Sequence, residues 1–216
     1  MVRSLMGLFV CLVVACPLNV WAARPFSTDD AGVVAPGEFE LEAGYDFGDI
    51  SGAGQGCFGV GFKHGVTEKM DIGIGFAHTF VSIQPEGLGP AEISMKFAVL
   101  PDLLAVSFAG EMGGSAYGIN SALTLGFGCV EADINFGYGA TGTADQPGSV
   151  SYALALIYCM EKLDAGCEVS GDKDGLQTWL VGLRYGIIEG LAADMGYSQD
   201  KTGGSKLGTA GFHFEF

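Results

Sequence analysis

The chain is 216 residues long, enough for one domain, with 36 glycines and a formal net charge of −15. Such an acidic chain repels phosphates, which excludes nucleic acid as its partner. Past residue 22 it has no run of roughly eighteen apolar residues, so any passage through a membrane has to be made by strands.

The first 22 residues read as a cleaved export signal. Arg3 gives a weak positive start, and Leu5 to Ala15 is an almost unbroken apolar stretch, shorter than the ~20 residues a spanning helix needs. Val20-Trp21-Ala22 then offers small or aliphatic residues where a signal peptidase cuts. The rival is lipoprotein processing at Cys16, after Val13-Val14-Ala15, although Pro17 follows at once. Without residues 1–22, nine Lys and Arg face 25 Asp and Glu, a net charge of −16. Residues 23–37 read as a periplasmic N-terminal segment and 38–216 as one barrel domain.

From residue 38 onward, apolar residues alternate with polar or small ones in short segments, the period of a strand with two unlike faces. In 38–47, Phe39, Leu41, Ala43, Tyr45 and Phe47 share one face, while Glu38, Glu40, Glu42 and Asp46 share the other. A face of carboxylates cannot point at hydrocarbon and must meet water. Segment 55–64 sets Phe58, Val60 and Phe62 against Gly59, Gly61 and Lys63. After the turn Gly65-Val66-Thr67-Glu68-Lys69, segment 70–80 opposes Ile72, Ile74 and Phe76 to Asp71, Gly73 and Gly75. Segment 90–100 opposes Ile93, Met95, Phe97 and Val99 to Glu92, Ser94, Lys96 and Ala98. Pro101-Asp102 reverses the chain into 103–112, with Leu104, Val106 and Phe108 outward.

Segments 118–127, 130–139, 148–158, 163–170, 176–186, 191–199 and 207–216 continue the plan. Val130, Ala132, Ile134, Phe136 and Tyr138 oppose Glu131, Asp133 and Asn135; Trp179, Val181, Leu183 and Tyr185 oppose Thr178 and Arg184. Links alternate between tight turns and longer Gly/Asp/Ser stretches such as 48–54, 81–89, 140–147 and 200–206. Tyr45, Phe47, Phe80, Tyr138, Tyr152, Tyr158, Tyr185 and Tyr197 fall near strand ends, where interfacial girdles form. The last segment places Phe212, Phe214 and Phe216 at every second position up to the final residue.

These features predict an all-β fold: a transmembrane antiparallel up-and-down β-barrel of twelve strands, with both ends of the chain on the periplasmic side. The expected location is the outer membrane of a Gram-negative bacterium. The expected partners are outer-membrane lipid, a small-molecule solute, and the barrel assembly machinery, which would read the strand ending in Phe216. The barrel is expected to be a monomer. A soluble sandwich or lipocalin-like barrel also alternates, but it would not turn Glu40, Glu42, Asp133 and Glu168 toward its interior. Glycines within the segments, such as Gly59, Gly61, Gly73 and Gly75, would relieve crowding on the inner wall of a narrow barrel.

Arg24-Pro25-Phe26-Ser27-Thr28-Asp29-Asp30-Ala31-Gly32, followed by Pro36-Gly37-Glu38-Phe39-Glu40-Leu41-Glu42, resembles the start of an outer-membrane family named for the MetA pathway of phenol degradation. Gly65 to Asp71, Ile93 to Phe97, Asp133 to Tyr138 and Leu163 to Glu168 also resemble that family. The resemblance implies an outer-membrane barrel with a transport role, and by the family's name a hydrophobic or aromatic solute. It carries no catalytic residues, and this chain is short for the group.

The expected inner wall carries Glu38, Glu40, Glu42, Asp46, Asp71, Glu92, Glu111, Glu131, Asp133, Glu168 and Asp194, with Lys63, Lys96 and Arg184 as counter-charges. Carboxylate rings favour cations, so the reading is a passive pore or transporter for small solutes with a cation-favouring lumen. The alternative is a non-transporting structural, surface-interaction or ligand-binding barrel whose lumen is plugged by Glu–Lys networks. The Arg24 to Pro36 segment, with its Asp29-Asp30 pair, is placed to fold inward and assist. Enzyme chemistry is not expected. His64 and His78 have outward parity, and His213 reads as a luminal polar contact near Glu38 or Glu40. Asp172-Lys173-Asp174-Gly175 reads as a turn rather than a calcium loop, and no cofactor or metal is expected. Cys57, Cys129, Cys159 and Cys167 read either as small wall residues or as disulfide partners. Alternation puts Cys159 and Cys167 on opposite faces.

Overall fold

A computed structural model of the chain describes residues 24–216 apart from 51–52, 82–85 and 144–145. The export signal read over residues 1–22, and the rival processing at Cys16, lie outside the described residues. The strands are β1 (Phe39–Ile50), β2 (Ala53–Thr67), β3 (Met70–Val81), β4 (Gly87–Leu88), β5 (Glu92–Leu100), β6 (Leu104–Glu111) and β7 (Tyr117–Phe127). They continue with β8 (Val130–Ala140), β9 (Ser149–Cys159), β10 (Leu163–Asp172), β11 (Gly175–Ile188), β12 (Leu191–Asp200) and β13 (Ser205–Glu215).

Apart from β4, each strand pairs antiparallel with the next one along the chain, β3 pairs with β5, and β1 pairs with β13, so the sheet closes on itself. The two-residue β4 only borders the upper end of β3, which pairs directly with β5. Twelve strands therefore build the wall, as the alternating segments predict. Closure gives each of the twelve wall strands a hydrogen-bonded neighbour on both sides, as a hydrocarbon environment requires. The first and last strands meet at one rim, where Phe39 and Phe216 exchange backbone hydrogen bonds of 2.8 and 2.9 Å. This lower rim carries the tight turns. One needs the left-handed backbone of Gly128 (φ 67°); in another, Asp102 takes φ 57°, a conformation that Asp tolerates better than most residues.

Burial runs opposite to that of a soluble protein. Along β5, Glu92, Ser94, Lys96 and Ala98 are buried, while Ile93, Met95, Phe97 and Val99 are exposed. The same inversion recurs around the barrel: Phe62, Ile74, Phe108, Ile134, Leu156, Val181 and Phe212 lie outside, and Glu42, Asp71, Asp133, Glu168 and Asp194 lie inside. So large an exposed apolar belt is stable only against lipid or another apolar partner. Aromatic contacts gather at both rims. Tyr45–Phe80 (5.9 Å) and Trp179–Tyr197 (5.6 Å) lie toward the upper one, and Phe39–Phe216 (5.8 Å) lies at the lower one.

Cys129, Cys159 and Cys167 are free thiols, and Cys57 is buried on the inner wall. The register pairs Cys159 with Asp164 and Cys167 with Leu156, so those two thiols stand on opposite faces. A maleimide should therefore modify Cys129, in its exposed turn, on the folded barrel. Cys57 should react only after denaturation, with mass spectrometry as the check; early labelling of Cys57 would contradict its placement.

Candidate functional site

The lumen is built by the inward half of each alternation and is occupied by the chain itself. Residues 24–34 run from the middle of the bore down to the lower rim, where Pro36 bridges to Gly65 before β1 begins. Small residues on the inward faces leave room for this segment. A Cβ on Gly182 would lie 2.4 Å from Pro25, one on Gly166 2.6 Å from Phe26, and one on Gly44 2.0 Å from the Arg24 guanidinium. Phe26, only 4 % exposed, packs against Ala155, Ile157 and Leu180 to form the one apolar cluster of buried residues in the described lumen.

Polar side chains from the wall fix the segment along its length. The Arg24 guanidinium lies 3.4 Å from Asp194 and 3.9 Å from Asp46, and it donates to the Thr209 hydroxyl. Glu168 accepts four hydrogen bonds. They come from the Ser27 amide (2.8 Å) and hydroxyl and from the Thr28 amide (2.7 Å) and hydroxyl (2.7 Å). Asn135 clamps Asp29 reciprocally, accepting from its amide at 2.8 Å and donating to its carbonyl at 2.6 Å. Lys96 Nζ pairs with Asp29 at 2.8 Å and Asp30 at 3.3 Å. The Ala31 amide donates to Thr124 at 2.9 Å, and the Val34 amide donates to Asp71 at 3.0 Å. Charge-assisted bonds in a low-dielectric bore are the stronger kind, so the segment is seated rather than loosely threaded.

The remaining expected wall residues sort by height. Near the lower rim, Lys63 Nζ lies 2.5 Å from Glu40 and 4.0 Å from Glu42, and His213 lies 3.3 Å from Glu42 and 2.8 Å from Glu215. His213 thus meets Glu42 rather than Glu38 or Glu40, because the register sets it opposite Glu42. Glu40, Glu42 and His213 could in principle share a metal ion, but the Lys63 ammonium already stands among these carboxylates. Glu38 precedes β1 and is exposed at the rim. Arg184 lies 3.5 Å from Asp164 across β10 and β11. Glu131 is half-buried, and Asp133 accepts from Thr124 at 2.6 Å. Glu92 and Glu111 face each other in register at the upper ends of β5 and β6. Asp172 forms a turn, accepting from the Asp174 amide and Gln177 at 2.8 Å each. His64 stacks on Phe39 (4.4 Å) and His78 lies against Phe80 at a tilt (4.6 Å), as their outward parity predicts.

Above the seated segment the bore opens into a cavity of about 330 Å³. Arg24, Pro25, Phe26 and Ser27 form part of its lining, with Asp46, Glu92, Glu111, Leu180 and Leu207 among its wall residues. The lumen is therefore an upper cup over a narrow, polar, occupied lower half. A larger side chain at Gly182 should push Pro25 out of its groove. Gly182→Val is expected to raise ion conductance while leaving the outer face untouched; an unchanged conductance would mean that ions do not pass beside Pro25.

No family model matches the chain, and no curated protein sequence matches it. Solved structures do match, at low identity. A KdgM porin aligns with a TM-score of 0.62 and 9% identity over 82% of this chain and 99% of its own. An outer membrane channel from Pseudomonas putida F1 aligns at 0.63 and 11% over 87% and 98%, and a NanC porin at 0.55 and 11% over 82% and 98%. The shared feature is the barrel fold. The phenol-pathway resemblance rests on the sequence pieces alone.

Proposed function

We propose that the chain is an outer-membrane barrel through which small solutes pass passively, with residues 24–34 setting the width of the path. The observation that carries this reading is the inverted burial, with acids and small residues inside and Phe, Ile and Leu outside, around a bore that still holds an upper cavity. The lower rim, where the first and last strands meet, would face the periplasm and the longer links the exterior. Wall carboxylates outnumber Lys63, Lys96, Arg184 and the incoming Arg24, which favours cations over anions. One KdgM structure holds oligogalacturonate. A solute of that polyanionic kind would be repelled by this wall. Hydrophobic or aromatic solutes with a neutral or cationic head fit both the resemblance and the apolar patches that Phe26, Leu180 and Leu207 contribute to the cup.

The dense bonding of residues 24–34 also supports a second reading, a barrel plugged at rest that acts by binding rather than by flux. Reversal potentials in a KCl gradient and liposome swelling with small sugars and amines separate the two. The pore reading expects a small conductance with a potential of cation-preferring sign. Anion preference would overturn the lumen assignment, and the absence of any flux would leave the plugged barrel.

A further inference from the structure

Most carboxylates facing the cup are already answered. Asp46 has Arg24, Glu42 has Lys63 and His213, and Glu168 has the Ser27 and Thr28 donors. Glu92 and Glu111 differ. They stand directly opposite each other on β5 and β6, both line the cavity, and no described Lys, Arg or His forms an ion pair with either. Glu92 is 9 % exposed, and its Oε1 is buried without a hydrogen-bond partner. Like charges directly opposite in a sheet repel, and a buried carboxylate oxygen without a donor is costly. A cation seated between them would relieve both penalties.

We propose that Glu92 and Glu111 form a binding site for a small organic ammonium ion whose apolar body lies in the cup against Pro25, Phe26, Leu180 and Leu207. A hard metal ion is the poorer fit, since it asks for about six or more oxygen ligands. The pair supplies carboxylates on one side, while the segment and facing wall supply ring and aliphatic carbon. A cavity of about 330 Å³ lies at the small end of ligand pockets, which suits a single-ring amine rather than an oligomer. At the upper end of β5 and β6, the site would be the first one met by a solute arriving from the link side. The proposal deepens the pore reading and rests on it for the solute's route, but binding can be measured without flux.

The test uses the barrel of residues 23–216 in a non-ionic detergent, with phenethylammonium and the neutral 2-phenylethanol as probes in titration calorimetry. The wild type should bind the ammonium about tenfold more tightly than the alcohol, the scale of a charged hydrogen bond in a partly dry site. E92Q/E111Q should lose that preference, while E68Q, in an exposed turn at the lower rim, should keep it. Heat-modifiable gel mobility shows that each variant is a folded barrel. Equal binding of the two probes by the wild type would overturn the proposal. So would a preference that survives in E92Q/E111Q, or calcium taken up at the pair without competition from the ammonium. Ammonium binding without any flux would sink the pore reading and leave the site standing; flux with no preference for the ammonium would do the reverse.

Discussion

Deleting residues 24–34 should raise single-channel conductance severalfold while the barrel stays folded. Among the described residues, the hydrogen bonds and ion pairs that hold this segment run to side chains of the wall, and its Arg24, Pro25 and Phe26 lie over glycine gaps. The strand ladders, including the β1–β13 closure, do not pass through it. The Pro36–Gly65 bridge lies beyond the deletion and still guides the chain into β1. The chief loss is burial of Phe26 against Ala155, Ile157 and Leu180, on the order of 2 kcal/mol for one such side chain. Glu168, Lys96, Asn135 and Asp194 lose their partners, but they would then face a water-filled bore, where hydration replaces those bonds. Planar-bilayer recording of the full chain beside the deletion is the check. Equal conductances would mean that the segment does not limit the path.

Val181→Lys should destabilise the barrel in phospholipid vesicles by roughly 2–4 kcal/mol, the cost of a cation on the lipid face near the bilayer centre. Val181 is 47 % exposed at the middle of β11 and pairs with Tyr197 of β12. Ser198, one residue further along β12, has inward parity and lines the cup. Ser198→Lys should therefore change stability little, since its ammonium would point into a wet, acidic cavity. Urea unfolding in vesicles measures both. In a protein that buries its apolar side, the lysine at 181 would be harmless and the lysine at 198 damaging. The contrast between the two variants thus tests the direction of burial as well as its existence.

The wall was legible in the sequence because membrane strands must alternate, and alternation is local. Segment 130–139 became Val130–Ala140 and segment 191–199 became Leu191–Asp200, with the outward and inward residues on the expected faces. The ends shifted where Asp and Gly continue a ladder into a turn, as at Asp172 and Gly175. Parity fixes a residue's face but not its neighbours. His213 could be placed inward, yet its partner Glu42 depends on the β1–β13 register, which one strand's pattern does not contain. The luminal segment was harder still. Thr28-Asp29-Asp30 hinted at an inward fold, and the charged partners Glu168, Lys96, Asp71 and Asp194 were among the expected wall residues, but Asn135, Thr124 and Thr209 are uncharged and do not stand out among inward residues. The wall glycines read as relief from crowding; the structure gives several of them a particular neighbour in Arg24, Pro25 or Phe26.

In a chain produced from residue 23 onward, Trp179 is the sole tryptophan, and it stands on the outer face of β11 at 37 % exposure. Its fluorescence in vesicles of lipids brominated at successive acyl depths is therefore the most direct probe of which face meets hydrocarbon. Strong quenching, deepest for bromines near the headgroup side of the chains, is the expected result. Fluorescence untouched by brominated lipid, from protein that stays dispersed without detergent, would contradict the inverted barrel and everything assigned to its bore.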